Sequence, residues 1–124
     1  MVDWSNIKHF TANEFTCHCG CGQNVIKQTL VDRLELVRSD YGKPITVTSG
    51  YRCPAHNKAV STTGEAGPHT TGLAADIPCS GEDAWRIVKL ALQHGFTGVG
   101  ISLRPGADRF VHLDLMPRIA IWSY

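Results

Sequence analysis

Phe110-Val-His112-Leu-Asp114-Leu115 decides how this chain folds, and it is read together with His69-Thr-Thr-Gly-Leu-Ala-Ala-Asp76. In an extended segment side chains alternate between faces, so Phe110, His112 and Asp114 share one face, and Val111, Leu113 and Leu115 share the other. An apolar face packs on a core, and a face carrying His beside Asp lines a cleft. Asp76 closes the apolar run Leu73 to Ala75, where a carboxylate is costly to bury unless a cation or several donors satisfy it. Any one of these residues alone reads as structural. Taken together, two imidazoles (His69, His112) and one carboxylate (Asp76) make a three-ligand zinc set with the fourth position open, the arrangement of a catalytic zinc.

Composition fits this reading and excludes others. The chain has 124 residues and a formal net charge of +1, so one domain, spanning 1–124, can bury a core, and no large positive field marks a nucleic-acid partner. No stretch is long and apolar enough for a membrane span. The start, Met1-Val-Asp-Trp-Ser-Asn-Ile-Lys8, lacks a charged region followed by an apolar one. The expectation is synthesis in the cytoplasm without a signal peptide, as a monomer, with access to a cell wall only after release.

Around the decisive segments, Thr11-Ala-Asn-Glu14 has the form of a capping box and starts a short helical turn. A helix is predicted from Lys27 to Tyr41, with Leu30, Leu34, Val37 and Tyr41 as its apolar stripe and Gly42 as its stop. Ile45 to Thr48 reads as a strand. Pro54 opens a short helix to Val60, Ser61 to Pro68 form a loop, and Leu73 to Ile77 form a strand. A second long helix runs from Glu82 to His94, capped by Ser80, with Trp85, Ile87, Val88, Ala91 and Leu92 inward. Thr97–Leu103 and Arg109–Leu115 are strands joined by the Pro-Gly turn of Arg104 to Asp108. The fold class is α+β, an antiparallel sheet with helices packed on one face and the metal cleft on the other.

The spacing His-x-x-Gly-x-Ala-x-Asp followed by a strand-borne His-x-Asp resembles the M15 family of zinc peptidases, D-alanyl-D-alanine carboxypeptidases and peptidoglycan endopeptidases that include phage endolysins. The resemblance extends to Val47-Thr-Ser-Gly-Tyr-Arg-Cys-Pro-Ala-His-Asn57, Gly95-Phe-Thr-Gly-Val-Gly100 and Pro117-Arg-Ile-Ala-Ile-Trp-Ser-Tyr124, and is strongest to small phage and prophage members. It implies a hedgehog/DD-peptidase-like fold, zinc on His69, Asp76 and His112, and a peptidoglycan peptide as substrate. Hydrolysis next to a D-amino acid is the implied reaction. A zinc-bearing murein-binding module without catalysis is one alternative, and a structural phage or cell-wall protein that docks murein is another.

In many members an Asp or Glu three residues before the last histidine takes the water proton, and here that position is Arg109. Two carboxylates remain. Asp114 is preferred because its strand fixes it beside His112, and Asp108, in the turn, is the runner-up; a further reading makes Asp114 the group that orients His112. The resemblance gives Arg52 the role of binding an oxyanion or substrate carboxylate. His56 and Asn57 are expected to contact substrate, or His56 to cap the Pro54 helix. Where the family often carries a serine before its first zinc histidine, this chain has Gly67, and Thr70 or Thr71 is expected to supply the hydroxyl.

Five cysteines are an odd number, and three lie in Cys17-His-Cys19-Gly-Cys21-Gly22, with Cys53 and Cys79 apart. Alternation in an extended segment puts Cys17, Cys19 and Cys21 on one side, within reach of Cys53. A structural zinc, a disulfide to Cys53, and reduced thiols all stand as readings. The spacing is shorter than the usual two-to-four-residue gaps of structural zinc sites, which favours the thiols.

Overall fold

Leu30, Val31, Leu34, Val37 and Tyr41 recur at helical spacing and are the buried residues of helix α1 (Gln28–Tyr41). A computed structural model describes residues 1–124. After α1 come helix α2 (Pro54–Val60), strand β1 (Ala74–Pro78), helix α3 (Gly81–Gln93) and strands β2 (Gly98–Ser102), β3 (Phe110–Asp114) and β4 (Ala120–Ser123). Short 3-10 turns at Ala12–Phe15 and Pro68–Thr71 complete the order. In the first, the Thr11 N–H donates to Glu14 Oε2 at 2.7 Å, which closes the turn as its sequence predicts.

The four strands form one sheet in the order β1-β3-β2-β4. Ala75, Ile77, Val99, Val111 and Leu113 point to one face and join Leu30, Leu34, Val37, Ile87 and Ala91 in the core. α1 and α3 pack on each other over that face, with α3 against β3. The result is a single compact α+β domain, and no helix is long and apolar enough to cross a membrane.

The sheet is mixed, which corrects the antiparallel expectation. β1 and β2 both pair antiparallel with β3, so neither edge of β3 is free. The chain leaving β3 must therefore dock on an outer edge, and β4 lies parallel to β2. Sequence reading alone does not place this last strand.

Ile45–Thr48 is not a strand either. Ser49, directly after it, makes an isolated bridge to Asp76, with the Thr48 N–H donating to the Asp76 carbonyl at 3.0 Å and the Asp76 N–H to the Ser49 carbonyl at 2.8 Å. Ile45 and Val47 are buried, so the β-branched pattern recorded burial rather than a ladder.

On α3, the inward stripe is Ala84, Ile87 and Ala91, whereas Trp85 and Leu92 are 64% and 58% exposed. Both sets have helical spacing and are offset by one residue. Ala84, Ile87 and Ala91 join the core, and Val88 packs at its margin. Ser80 sits at the cap position without a side-chain cap bond, and Glu82 and Asp83 fill the first turn, where they favour the helix dipole.

Candidate metal centre

Strand register builds the site as a row across the sheet. Asp76 on β1 stands opposite His112 on β3, His112 opposite Gly100 on β2, and Gly100 opposite Trp122 on β4. Residues opposite one another share a face, so this row lies on the side away from the helices. A Cβ on Gly100 would stand 2.6 Å from the Trp122 indole nitrogen. Glycine there lets the indole fold back over β2, 5.2 Å from the His112 ring.

His69 arrives from the Pro68–Thr71 turn. Its Nδ1–H donates to the Gly50 carbonyl at 2.8 Å, which fixes the tautomer and leaves Nε2 as an acceptor. That Nε2 lies 3.2 Å from Asp76 Oδ1. On the other side, His112 Nδ1 lies 3.1 Å from the same oxygen, while its Nε2–H is taken by Asp114 Oδ2 at 2.7 Å. Three acceptor atoms thus face one another within 4.8 Å, and their residues are buried. Two imidazoles and one carboxylate with an open side could hold a metal ion, and such a donor set suits zinc.

The electrostatics agree. Burial raises the Asp76 carboxyl, but hydrogen bonds from His112 and His69 outweigh it and hold the group well below the usual carboxylate range. Burial lowers the His112 imidazole, and its bonds to Asp114 and Asp76 more than reverse this, for a net upward shift. Both directions describe a site that favours positive charge at its centre.

Asp114 is fully buried, and all its acceptor capacity is used. Oδ1 receives the Met116 N–H at 3.1 Å and Arg118 Nη1 at 2.7 Å; Oδ2 receives His112 Nε2 at 2.7 Å and Arg118 Nη2 at 2.8 Å. A carboxylate offers about four lone-pair sites, so none is left for a water proton. This geometry disfavours the preferred general-base reading of Asp114 and matches that of a group that holds His112 in place. The Asp114–Arg118 pair also explains Gly98, where a Cβ would collide with Asp114 Oδ1 and Arg118 Nη1.

Arg52 borders the same cleft. Its Nε donates to Ser49 Oγ at 3.1 Å, Nη1 to Asn57 Oδ1 at 3.2 Å and Nη2 to Asp76 Oδ2 at 3.3 Å. Of the five guanidinium N–H donors, two therefore have no protein partner. Asn57 is 1% exposed and spends its amide on Thr63 Oγ1 and the Gly64 carbonyl, so it fastens the Ser61–Pro68 loop rather than offering a free donor. Gly67, within that loop, packs against Thr63, and a Cβ there would come within 2.9 Å of Thr63 Cβ.

The cleft encloses about 760 Å³. Its polar floor is Arg52, Asn57, His69, Asp76 and His112, and Phe110, Trp122 and Tyr124 form an aromatic wall. Several expected residues are not brought in. Asp108 is exposed in its turn, with only its backbone carbonyl engaged by Ser102 Oγ, and it does not line the cleft. Thr71 bonds the Pro68 carbonyl and the Leu73 N–H, and Thr70 bonds Gly67, so both hydroxyls brace the 3-10 turn instead of the cleft. The His56 side chain does not line the cleft, and its N–H donates to Cys53 Sγ, which caps α2.

Arg118, Trp122 and Tyr124 are the cleft residues that sequence reading missed. The signal was present: Arg118, Ala120, Trp122 and Tyr124 alternate with Ile119, Ile121 and Ser123 and all line the cleft.

No curated protein matches the chain. The Peptidase M15 family, described by that name, matches over residues 8–114, from just before the first 3-10 turn to the end of β3. With most of its length matched, and His69, Asp76 and His112 converging on one point, the chain belongs to the Peptidase M15 family of zinc metallopeptidases.

Proposed function

We propose that the protein hydrolyses a peptide bond next to a D-amino acid in the stem peptides of peptidoglycan, with zinc held by His69 Nε2, Asp76 Oδ1 and His112 Nδ1. The observation that carries the reading is the convergence of these three acceptors beside Arg52 at the floor of an open cleft. Zinc supplies Lewis-acid polarisation of a carbonyl and acidifies water at such a site.

The remaining work falls to the chain. Arg52, oriented by Ser49, Asn57 and Asp76, directs its two unpartnered N–H groups at a substrate carboxylate or a developing oxyanion. Phe110, Trp122 and Tyr124 hold the peptide and exclude water from one side. Asp114, clamped by Arg118, keeps the His112 imidazole in the tautomer that presents Nδ1. Such an enzyme acts on the cell wall after release, in a phage or prophage lysis setting.

One observation favours a second reading, a zinc-bearing murein-binding module without turnover: Asp76 is the only carboxylate lining the cleft. Mass spectrometry of muropeptides incubated with the zinc-loaded protein separates the two. Products heavier by one water in total and split at a D-amino acid support the peptidase. Intact muropeptides that nonetheless co-sediment with the protein select the binding module.

A further inference from the structure

Cys17-His-Cys19-Gly-Cys21-Gly22 plays no part in the cleft, yet its thiols gather with Cys53. Cys17 Sγ lies 3.5 Å from Cys19 Sγ, and Cys19 Sγ lies 3.6 Å from Cys53 Sγ. All four sulfurs are within 4.8 Å of one another. The segment is not extended, as alternation alone suggested. Gly20 and Gly22 take left-handed φ of 91° and 74°, which folds the chain back so that three closely spaced cysteines face one another and Cys53. The Cys17 N–H donates to the Gln23 carbonyl at 2.9 Å and closes the loop.

We infer that Cys17, Cys19, Cys21 and Cys53 form a second, structural zinc site that ties the N-terminal loop to the segment carrying Arg52. Geometry, chemistry and placement support it. Tetrahedral zinc at about 2.3 Å from each sulfur sets sulfurs ~3.8 Å apart, close to the spacings found. A disulfide would need ~2.05 Å, and all five cysteines are free.

Three of the sulfurs accept backbone N–H groups at 3.4 Å: Cys17 from Cys53, Cys53 from His56 and Cys21 from Gln23. Those donors stabilise thiolate rather than thiol. A divalent ion on the four sulfurs replaces four thiol protons and leaves a centre of charge −2. Four thiolates in a tetrahedral cluster are a soft donor set that suits zinc.

Placement gives the site a purpose. Residues 18–23 are exposed and irregular, and the only apolar cluster beneath them is Cys17, Tyr51 and Cys53. Cys53 follows Arg52 directly and caps α2. The same short segment supplies the Gly50 carbonyl that orients His69, and the Arg52 N–H donates to the His69 carbonyl at 3.2 Å. A metal on the four sulfurs holds both groups without touching the cleft.

Zinc content of the reduced, purified protein tests the site. Two zinc per chain are expected in the native protein, one in His69→Ala/His112→Ala, and one in Cys19→Ser/Cys21→Ser, whose changed residues are exposed and tolerate serine. The His double variant loaded with Co²⁺ should show intense sulfur-to-cobalt charge transfer. In the native protein, four of the five thiols should resist alkylation until a chelator is added. Absence of charge transfer together with five freely alkylated thiols overturns the site and leaves the proposed peptidase untouched. Recovery of three or fewer thiols from denatured, unreduced protein overturns it in favour of a disulfide.

Discussion

Replacing Asp114 with Asn removes one charge and exchanges one acceptor oxygen for an NH₂ group at a point where every neighbour is a donor. Oδ1 faces the Met116 N–H and Arg118 Nη1, and Oδ2 faces His112 Nε2–H and Arg118 Nη2, all between 2.7 and 3.1 Å. Whichever way the amide turns, its NH₂ meets two donors. With the amide nitrogen towards His112, the imidazole loses the acceptor that fixes its tautomer and tilt. With it towards Met116, Arg118 and a backbone N–H lose theirs. Arg118 is 38% exposed at its side chain and recovers part of the loss from water, so destabilisation of about 1–3 kcal/mol is expected.

At the metal the expectation is larger. Removing the partner of a ligating histidine typically weakens metal binding about 10–100-fold, which corresponds to roughly 1.4–2.8 kcal/mol. The assay is zinc affinity by competition with a chromophoric chelator, with turnover then measured at saturating zinc. A general base behaves differently: its loss lowers kcat about 10²–10⁴-fold and leaves zinc affinity alone. Asp108→Asn serves as the control and should change neither quantity, since its side chain does not line the cleft. An unchanged zinc affinity with abolished turnover in Asp114→Asn would refute the orienting role and return proton transfer to Asp114.

Arg52→Ala should lower kcat/KM by about 10²–10³-fold with zinc content intact; wild-type kinetics on a carboxylate-bearing stem peptide would remove Arg52 from substrate recognition. Gly100→Ala drives a methyl into the Trp122 indole and should cost about 1–3 kcal/mol, seen as a lower Tm with shifted tryptophan fluorescence. On α3, Ile87→Ala should cost about 2–5 kcal/mol and Leu92→Ala under ~0.5 kcal/mol by urea titration, because the first is 2% exposed and the second 58%. Equal losses would mean that the outer stripe is also covered. Chelation of the zinc-loaded protein should speed amide exchange in residues 17–23 while leaving β1 and β3 protected, and uniform acceleration across the chain would contradict that separation.

The sequence made legible whatever one alternation or one helical period settles alone. β3 was readable because Val111 and Leu113 bury while His112 and Asp114 share the other face, and α1 because its stripe repeats cleanly over four turns. His69, Asp76 and His112 stood out because their spacing is distinctive, and the structure brings the three together. Properties that depend on which neighbour wins a contact were not. The stripe of Trp85 and Leu92 has the same helical spacing as the stripe of Ala84 and Ala91, and only the packing of the helix on its neighbours decides between them. β4 alternates as plainly as β3, but its partner is set by the edges already taken. The role of Asp114 turned on Arg118, four residues on and past the strand end, whose fork closes onto it only once the chain turns towards β4.

The metal row and the core are consequences of one register. Shifting β3 by a single residue would carry His112 and Asp114 into the apolar layer and turn Val111 and Leu113 out towards the cleft. Burying one such side chain contributes about 1.5–3 kcal/mol, and Val111, Leu113, Ala75 and Val99 all oppose the slip. The core therefore holds Asp76 opposite His112 whether or not a cation is bound. The fourth partner in the row, Trp122, can approach His112 only because Gly100 leaves room between them. His69 alone comes from outside the sheet, and its aim depends on the Gly50 carbonyl, in the segment that Cys53 closes. Hydrophobic burial fixes two ligands, and the thiol-bounded segment fixes the third. That division gives a reason for a second metal outside the cleft: the part of the site that the core does not reach needs another anchor.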